Sequence, residues 1–228
     1  MKPRTEASVK GKSKVTVANI QAVIFDLGGV VIDWDPKLLY RKIFGGDNAK
    51  MEMFLSEICP PKWNERQDAG RPLAVATEER VALHPEWERE IRAFYGRWAE
   101  MVGGPIPGTA DIIRELKALG VQLFALSNWS AETFPLVRGR FAELGLFEKI
   151  IISGEHRCAK PDERFYRIAL DEIGLPAANL LFIDDSRRNI LAAERMGFVS
   201  LIFKSAKELR ADLRAMGFAL NSTGPGSA

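Results

Sequence analysis

The chain alternates between short apolar runs and longer segments of helical periodicity. The apolar runs, rich in β-branched residues, lie at 22–27, 121–127, 149–153, 180–184 and 199–203. Most of them are apolar at consecutive positions instead of at every second position, which is typical of strands buried on both faces. Because helical segments separate most of the runs, the pattern predicts an α/β fold with a parallel sheet covered on both faces.

Three of the helical segments carry start and stop signals. TADIIRELKALG is predicted to begin with Thr109 as its N-cap and to stop at Gly120. PDERFYRIALDEIG is predicted to begin with Pro161 at the first helical position and to end at Gly174. RRNILAAERMG is predicted to end at Gly197.

The alternation is interrupted after the first run, where helical periodicity continues and no clear strand is visible. An aromatic and aliphatic stripe from Trp87 to Val102 follows helix spacing, and we interpret it as a packing face and not as a cofactor site. The sequence GGPIPG at 103–108 predicts a hinge or linker back to the sheet. An insert at this point lies over the strand ends where open α/β sheets bind ligands, so it is expected to act as a lid.

The two ends of the chain differ in composition from its middle. Residues 1–18 are basic, lack the apolar core of a secretory signal and predict a disordered tail. Residues 219–228 predict a second disordered tail. The rest divides into a sheet domain, 19–34 with 107–218, and a helical insert at 35–106.

Composition adds little beyond an ordinary globular protein. The 228 residues are 46% hydrophobic and 27% charged, and the net charge of +2 predicts neither a nucleic-acid nor a membrane partner. Cys59 and Cys158 fit no metal-binding spacing. With two cysteines and no recognisable targeting signal, a reducing cytoplasm is the default expectation. No apolar run is long enough to span a bilayer. We expect the protein to be a monomer or a homodimer.

The first strand ends on an acid that is followed by two glycines. A carboxylate at the end of such a strand points into the crevice, and Asp26 can attack phosphorus to form an aspartyl-phosphate. Gly28 and Gly29 allow a tight turn and a close approach of main-chain N–H groups to an anion. A capping acid with turn glycines explains this stretch equally well. The spacing is not a dinucleotide-binding motif.

Polar residues also follow other strands. Ser127 and Asn128 can hold a phosphate oxygen, and Lys160 can balance the charge of phosphate and carboxylates. Asp184 and Asp185 repel each other unless a cation is bound, and oxygen ligands without His or Cys suit Mg²⁺. Each group alone has a simpler interpretation as turn, solvated or helix-terminal residues. Their joint occurrence at strand ends favours one site.

The motifs FDLGGVV, LSN, KPD followed by FY, and FIDDSRRNI together resemble those of the haloacid dehalogenase (HAD) superfamily of hydrolases, over Gln21 to Phe203. The chain is most similar to the branch with a small helical cap after the first strand, and within it to sugar-phosphate phosphatase-like members with an Asp-Leu-Gly first motif. The resemblance implies a Rossmann-like sheet with strand order 5-4-1-2-3. It also implies Mg²⁺ and a small phosphorylated metabolite as substrate.

The resemblance also implies roles for single residues in catalysis and phosphate binding. Asp26 corresponds to the nucleophile, which becomes phosphorylated during the reaction. Lys160 corresponds to the cation that braces the nucleophile and the phosphate. Ser127 and Asn128 are implied to hold the phosphate, and the turn at Gly29 is expected to contribute a main-chain N–H.

The metal ligands follow from the same motifs. Asp26 is implied to bind Mg²⁺ through its side chain and Gly28 through its main-chain carbonyl. Asp185 is implied to bind Mg²⁺ directly, with Asp184 close by or acting through water. The expected function is therefore that of a Mg²⁺-dependent phosphatase.

One position departs from the pattern of the family. Most phosphatases of the superfamily carry a second Asp two residues after the nucleophile, as general acid and base, where this chain has Gly28. Such acid–base help typically contributes about 10²–10⁴ in rate, so its absence favours substrates with better leaving groups. Asp33 or Asp35 are candidate substitutes.

Two alternatives to a phosphatase remain. A 2-haloacid dehalogenase-type hydrolase is compatible with Gly28, but such enzymes need no metal and lack the Asp184–Asp185 pair. A weakly active or non-catalytic binding protein is supported only by the missing acid. Residues expected on the inner face of the insert and beside the motifs are Trp63, the segment NERQDAGR, Trp34 and Trp129.

Overall fold

The computed structural model describes residues 19–222. The tail predicted at 1–18 lies outside the described residues, and so does most of the tail predicted at 219–228.

A five-stranded parallel sheet forms the centre of the described chain. The strands, in chain order, are β1 (Ala22–Phe25), β2 (Ile32–Trp34), β3 (Val102–Pro105), β4 (Gln122–Ser127), β5 (Lys149–Ile152), β6 (Leu180–Asp184) and β7 (Val199–Ile202). The sheet order is β5-β4-β1-β6-β7, while β2 and β3 pair antiparallel in a separate sheet. The predicted parallel α/β class is confirmed. The strand numbers differ from the predicted order 5-4-1-2-3 because β2 and β3, which belong to the separate sheet, come between β1 and β4 along the chain and are counted in the numbering.

Helices connect the strands and fill the segment between β2 and β3. In chain order they are α1 (Lys37–Ile43), α2 (Asn48–Met53), α3 (Pro61–Asp68), α4 (Leu73–Leu83), α5 (Glu88–Gly96), α6 (Thr109–Ala118), α7 (Pro135–Arg138), α8 (Ser153–His156), α9 (Glu163–Ile173), α10 (Arg187–Arg195) and α11 (Ala206–Met216). A π-helical turn, Phe54–Ile58, follows α2. Within the described residues, each helix is too short or too polar to cross a bilayer.

Strand β1 lies at the centre because its residues are apolar on both faces. Val23 and Phe25 belong to one hydrophobic cluster, and Ala22 and Ile24 belong to another on the opposite side of the sheet. The first cluster continues into the helices between β2 and β3, where Tyr40, Phe54 and Phe94 are buried. The sheet and the helical segment therefore share one hydrophobic core.

The register of the sheet decides which residues meet at its carboxyl edge. Phe25 pairs with Ala125 of β4 and with Ile183 of β6. The next residue along, Asp26, is therefore level with the end of β6, at Asp184. Neighbouring parallel strands thus bring residues together that are far apart in the sequence.

Two predicted helix starts differ from the structure. The N-cap of α6 is Gly108, and Thr109 is the first residue of the helix and is buried. Asp162 caps α9 by accepting a hydrogen bond from a main-chain N–H of the first turn, so Pro161 precedes the helix. A carboxylate satisfies a free N–H at this position, which a proline ring cannot do. Gly174 ends α9 in the left-handed conformation, as predicted.

The predicted linker at 103–108 overlaps strand β3, Val102–Pro105, so the prediction of no strand there is wrong. Val102 pairs with Trp34, and Pro105 pairs with Ile32. Gly and Pro are depleted in strands, so the local sequence gives no strand signal, and the pairing arises because the chain returns beside β2. The boundaries proposed for the sheet domain and the helical insert stay a prediction.

Leu213 in α11 tests the contribution of core packing. Its side chain is fully buried, so Leu213→Ala is expected to lower the free energy of unfolding by about 2–5 kcal/mol. Leu191→Ala in α10 is the matched control, because Leu191 is 42% exposed and its loss should change stability by less than about 0.5 kcal/mol. Urea unfolding of both variants measures the difference, and equal losses would contradict the burial seen here.

Candidate active site

Asp26 stands directly after β1 and is 8% exposed. One carboxylate oxygen, Oδ1, accepts the main-chain N–H of Leu27 at 2.7 Å, and Oδ2 lies 3.0 Å from the Nζ of Lys160. Burial raises the pKa of Asp26 to about 7, which Lys160 opposes and the charges of Asp184 and Asp185 reinforce. The ionised form of this carboxylate therefore depends on cations close to it.

Lys160 provides one such cation from inside the protein. Its Nζ, with no exposed surface on the side chain, lies 2.7 Å from Asp184 Oδ2, 3.0 Å from Asp26 Oδ2 and 2.7 Å from the carbonyl oxygen of Leu126. These three acceptors match the three donors of an ammonium group. Burial alone would lower the pKa of Lys160, but Asp184 and Asp26 together raise it, so the side chain stays charged.

Asn128 fixes the segment that carries Lys160. Its side-chain Nδ2 donates to the carbonyl oxygen of Lys160 at 2.9 Å, and its Oδ1 accepts the N–H of Lys160 at 2.8 Å. The amide thus pairs with both main-chain groups of one residue. Ser127, the last residue of β4, is buried beside it.

Asp184 and Asp185 differ in their surroundings although they are neighbours. Asp184 is fully buried, and its oxygens accept from Lys160, from the N–H of Ser186 at 2.8 Å and from Asn189 Nδ2 at 3.1 Å. Asp185 is exposed. Burial of part of its surface and the charge of Asp184 raise the pKa of Asp185.

The three acids form a cluster that fits a divalent cation. Oxygens of Asp26, Asp184 and Asp185 all lie within 4.8 Å of one another. Carboxylate oxygens are the hard ligands that Mg²⁺ prefers. Burial and the repulsion between the acids raise the pKa values of Asp26 and Asp185, and a cation there would offset both effects.

Gly29 allows the turn to approach this cluster. Its φ of +75° is left-handed, and a Cβ added there would lie 2.5 Å from Asp185 Oδ2. A side chain at this position would displace the carboxylate, so only glycine fits. Gly28 is different, because a Cβ added to it would meet no atom within 4 Å.

A cleft with about 600 Å³ of empty space opens above these groups. Its lining consists of Asp26, Gly28, Gly29, Trp34, Asn64, Asp68, Trp98, Asn128, Trp129 and Asp185. Ser127, Lys160 and Asp184 are predicted site residues that lie outside this lining. Residues from the strand ends and residues from the helical segment therefore face the same space.

The expected inner-face residues divide into two groups. Trp34, Trp129 and part of the segment NERQDAGR line the cleft, whereas Trp63 packs edge-on against Phe94 within the helical segment. Trp98, which the helix spacing had assigned to packing, is buried against Trp34 and also lines the cleft.

Asp68 lies in the segment NERQDAGR, which was expected on the inner face as a whole, but no role was assigned to this residue. Its Oδ2 accepts from Asn64 Nδ2 at 2.8 Å, one turn earlier on α3. The i, i+4 spacing of two polar residues on one helix face is the signal that points to it. Neither candidate substitute belongs to the lining of this cleft. Asp33 is exposed beside Gly103, and Asp35 accepts the first N–H of α1.

Lys160→Met tests the buried charge cluster. We expect the free energy of unfolding to fall by about 3–5 kcal/mol, because the variant leaves Asp26 and Asp184 buried without their cation. Lys204→Met is the control, since the Lys204 side chain is 65% exposed and its ion pair with Glu208 contributes about 1 kcal/mol or less. Urea unfolding in a chelating buffer gives both values, and similar losses would refute the role of the cluster.

One of two named relatives resembles the chain over most of its length, and the other resembles it over less than half. The sesquiterpene phosphatase astK of Aspergillus oryzae is 28% identical over 186 residues, covering 79% of this chain and 88% of that protein. The (S)-2-haloacid dehalogenase of Pseudomonas putida is 33% identical over 94 residues, which are 41% of each chain.

Solved structures show the same fold. The HAD family enzyme bt-2542 of Bacteroides thetaiotaomicron, in complex with magnesium and inorganic phosphate, matches with a TM-score of 0.62 at 22% identity. The match covers 82% of this chain and 95% of that one. The family model described as haloacid dehalogenase-like hydrolase matches residues 20–197. The chain therefore belongs to the haloacid dehalogenase-like hydrolase family.

Proposed function

We propose that the protein is a Mg²⁺-dependent phosphatase that hydrolyses a small phosphorylated metabolite through an aspartyl-phosphate intermediate. The observation that carries this proposal is the position of Asp26. It lines the cleft, lies 3.0 Å from the buried Lys160 and belongs to a cluster of three carboxylates. A nucleophile, a fixed positive charge and a set of metal-binding oxygens are the parts that phosphoryl transfer requires.

Asp26 and Asp185 would hold the metal ion, together with the main-chain carbonyl of Gly28. Asp184 would act near the metal ion or through water, since its oxygens already accept hydrogen bonds from Lys160 and Asn189. A bound Mg²⁺ supplies charge neutralisation for the phosphate and the acids. The names of phosphatase relatives and of a magnesium and phosphate complex agree with this assignment.

The residues of the chain then divide the chemistry among them. Asp26 attacks phosphorus, and Lys160 keeps its oxygen Oδ2 in place while offsetting negative charge. Ser127, Asn128 and the main chain at Gly29 would bind the phosphate oxygens. The N–H of Gly29 donates to the carbonyl oxygen of Ile32 at 2.9 Å, so it would exchange that partner for a phosphate oxygen. The side-chain Nδ2 of Asn128 already donates to the carbonyl oxygen of Lys160. Asn128 would therefore also contribute to phosphate binding indirectly, by holding Lys160 in place.

The helical segment at 35–106 would act as the cap of the site. Asn64, Asp68 and Trp98 come from this segment, and they line the same cleft as Asp26 and Asp185. A cap that contributes to the lining excludes water from the reacting groups and selects the organic part of the substrate.

Two substrate classes fit this cleft. A sugar phosphate-like metabolite is the first, since aromatic faces and the polar groups of Asn64 and Asp68 suit a hydroxylated ring. The phosphate of an apolar alcohol is the second. A neighbouring cleft with about 690 Å³ of empty space shares Trp34 and Asn64 with the first, and Leu55, Cys59 and Phe94 are among its apolar lining. The name of the sesquiterpene phosphatase relative points to this second class.

Phosphate release from a substrate panel tests the proposal. The panel contains sugar phosphates, apolar alcohol phosphates, acyl phosphates and nucleotides, each with and without Mg²⁺. We expect Mg²⁺-dependent release that falls about 10⁴-fold or more in Asp26→Asn, because the amide is not a nucleophile for phosphorus. Asp171→Asn, at an exposed position of α9, is the control and should keep wild-type activity.

Other outcomes would identify the alternatives. Halide release from 2-haloacids without Mg²⁺, and no phosphate release, would replace the proposal by a dehalogenase. The partial similarity to a haloacid dehalogenase makes this comparison necessary. No turnover of any compound, with tight binding of one of them, would indicate a binding protein.

A further inference from the structure

Gly28 leaves a space in the cleft where a side chain would fit. It lines the cleft, its backbone is not left-handed, and a Cβ added there would meet no atom within 4 Å. The absence of a carboxyl group at this position is therefore not forced by crowding or by the conformation of the turn. Proton transfer to a leaving group needs another donor within the same space.

Asp68 lines the same cleft and comes from the helical segment. Three carboxyl groups line the cleft, and two of them, Asp26 and Asp185, belong to the metal-binding cluster. Asp68 is outside that cluster and is held by α3 of the helical segment. It is thus the carboxyl group of the lining that is available for proton transfer.

A chain of hydrogen bonds fixes the orientation of the Asp68 carboxyl group. Asn64 Nδ2 donates to it at 2.8 Å, and Asn64 Oδ1 accepts from the Tyr95 hydroxyl at 3.0 Å. The Tyr95 oxygen accepts from Gln67 Nε2 at 2.9 Å. Side chains that are hydrogen bonded in this way have little freedom to rotate. A general acid needs such a fixed orientation in order to donate its proton at a defined position.

A second contact ties the end of α3 to the strand side of the cleft. The Ser153 hydroxyl donates to the main-chain carbonyl of Asp68 at 2.5 Å and accepts the N–H of Trp129 at 2.9 Å. Trp129 follows β4 directly after Asn128. The position of Asp68 is therefore set relative to the phosphate-binding side of the site.

The surroundings of Asp68 also favour its protonated form. Burial raises the pKa of Asp68 well above its ordinary value, a main-chain hydrogen bond from Ser130 opposes this, and the charges of Glu65 and Asp26 reinforce it. A carboxyl group whose pKa is raised gives up its proton less readily to water and suits a general acid.

We propose that Asp68 is the general acid and base of this site and replaces the side chain that Gly28 lacks. The proposal rests on the phosphatase function proposed above. In the first step, an Asp26 oxygen forms a bond to phosphorus, the bond from phosphorus to the leaving oxygen breaks, and the Asp68 proton moves to that oxygen. In the second, Asp68 takes a proton from water as the water oxygen attacks phosphorus. The acyl phosphate bond then breaks, which releases phosphate and restores the Asp26 carboxylate.

Asp68→Asn tests this assignment through its dependence on the leaving group. An alkyl phosphate needs a proton on its leaving oxygen, whereas acetyl phosphate and p-nitrophenyl phosphate need little help. We expect kcat/KM for an alkyl phosphate to fall by about 10²–10⁴-fold, and that for acetyl phosphate to fall by less than about tenfold. A merely structural role of Asp68 would lower both by the same factor, and that result would overturn the proposal.

Gly28→Asp in the Asp68→Asn background provides a second measurement. The open space beside Gly28 allows a carboxyl group there, so the double variant should recover at least about tenfold in turnover of the alkyl phosphate. No recovery in a double variant that still releases phosphate from acetyl phosphate would contradict the proposal. If the wild-type protein releases phosphate from no compound, the proposed function fails first, which separates the two failures.

Discussion

The buried ammonium group of Lys160 is the feature on which the geometry of the site depends. It has no exposed surface and lies between two carboxylates, of Asp26 and Asp184, that are themselves buried. A charge inside a protein is tolerated when it is paired and hydrogen bonded, so each of the three groups stabilises the others. The cluster joins the ends of β1 and β6 to the segment before α9, and it fixes the position of the Asp26 carboxylate.

A layer of neutral side chains supports this cluster. Asn128 pairs with the main chain of Lys160, and Asn189 donates to both oxygens of Asp184. The amide of Asn128 satisfies main-chain groups of Lys160 that would otherwise be buried without partners, and the amide of Asn189 adds a donor to the carboxylate of Asp184. The exposed Asp185 remains outside this network, so the cluster has a rigid inner side and a side open to a metal ion and to substrate.

The cleft combines two parts of the chain with different chemistry. The strand ends contribute the acids and the glycine turn, and the helical segment contributes Asn64, Asp68 and Trp98. If Asp68 transfers the proton, α3 carries both substrate recognition and part of the catalysis. Turnover would then depend on the docking of this helix against the loop after β4, which Ser153 joins to it.

The sequence by itself determined the five strands of the main sheet, the fold class and the motifs at the strand ends. The five apolar runs coincide with the strands of the main sheet to within two residues, because burial on both faces leaves a continuous apolar pattern in the chain. Tertiary structure alone decided the rest. Strand β3 forms from Gly and Pro because it returns beside β2, and Trp98 lines the cleft as well as packing against Trp34. Asp68 is held in the site by Ser153, which is distant in sequence, and by Asn64, which in turn bonds to Tyr95. Sequence periodicity indicates which residues share a face of a helix, but it does not indicate which other part of the chain packs against that face.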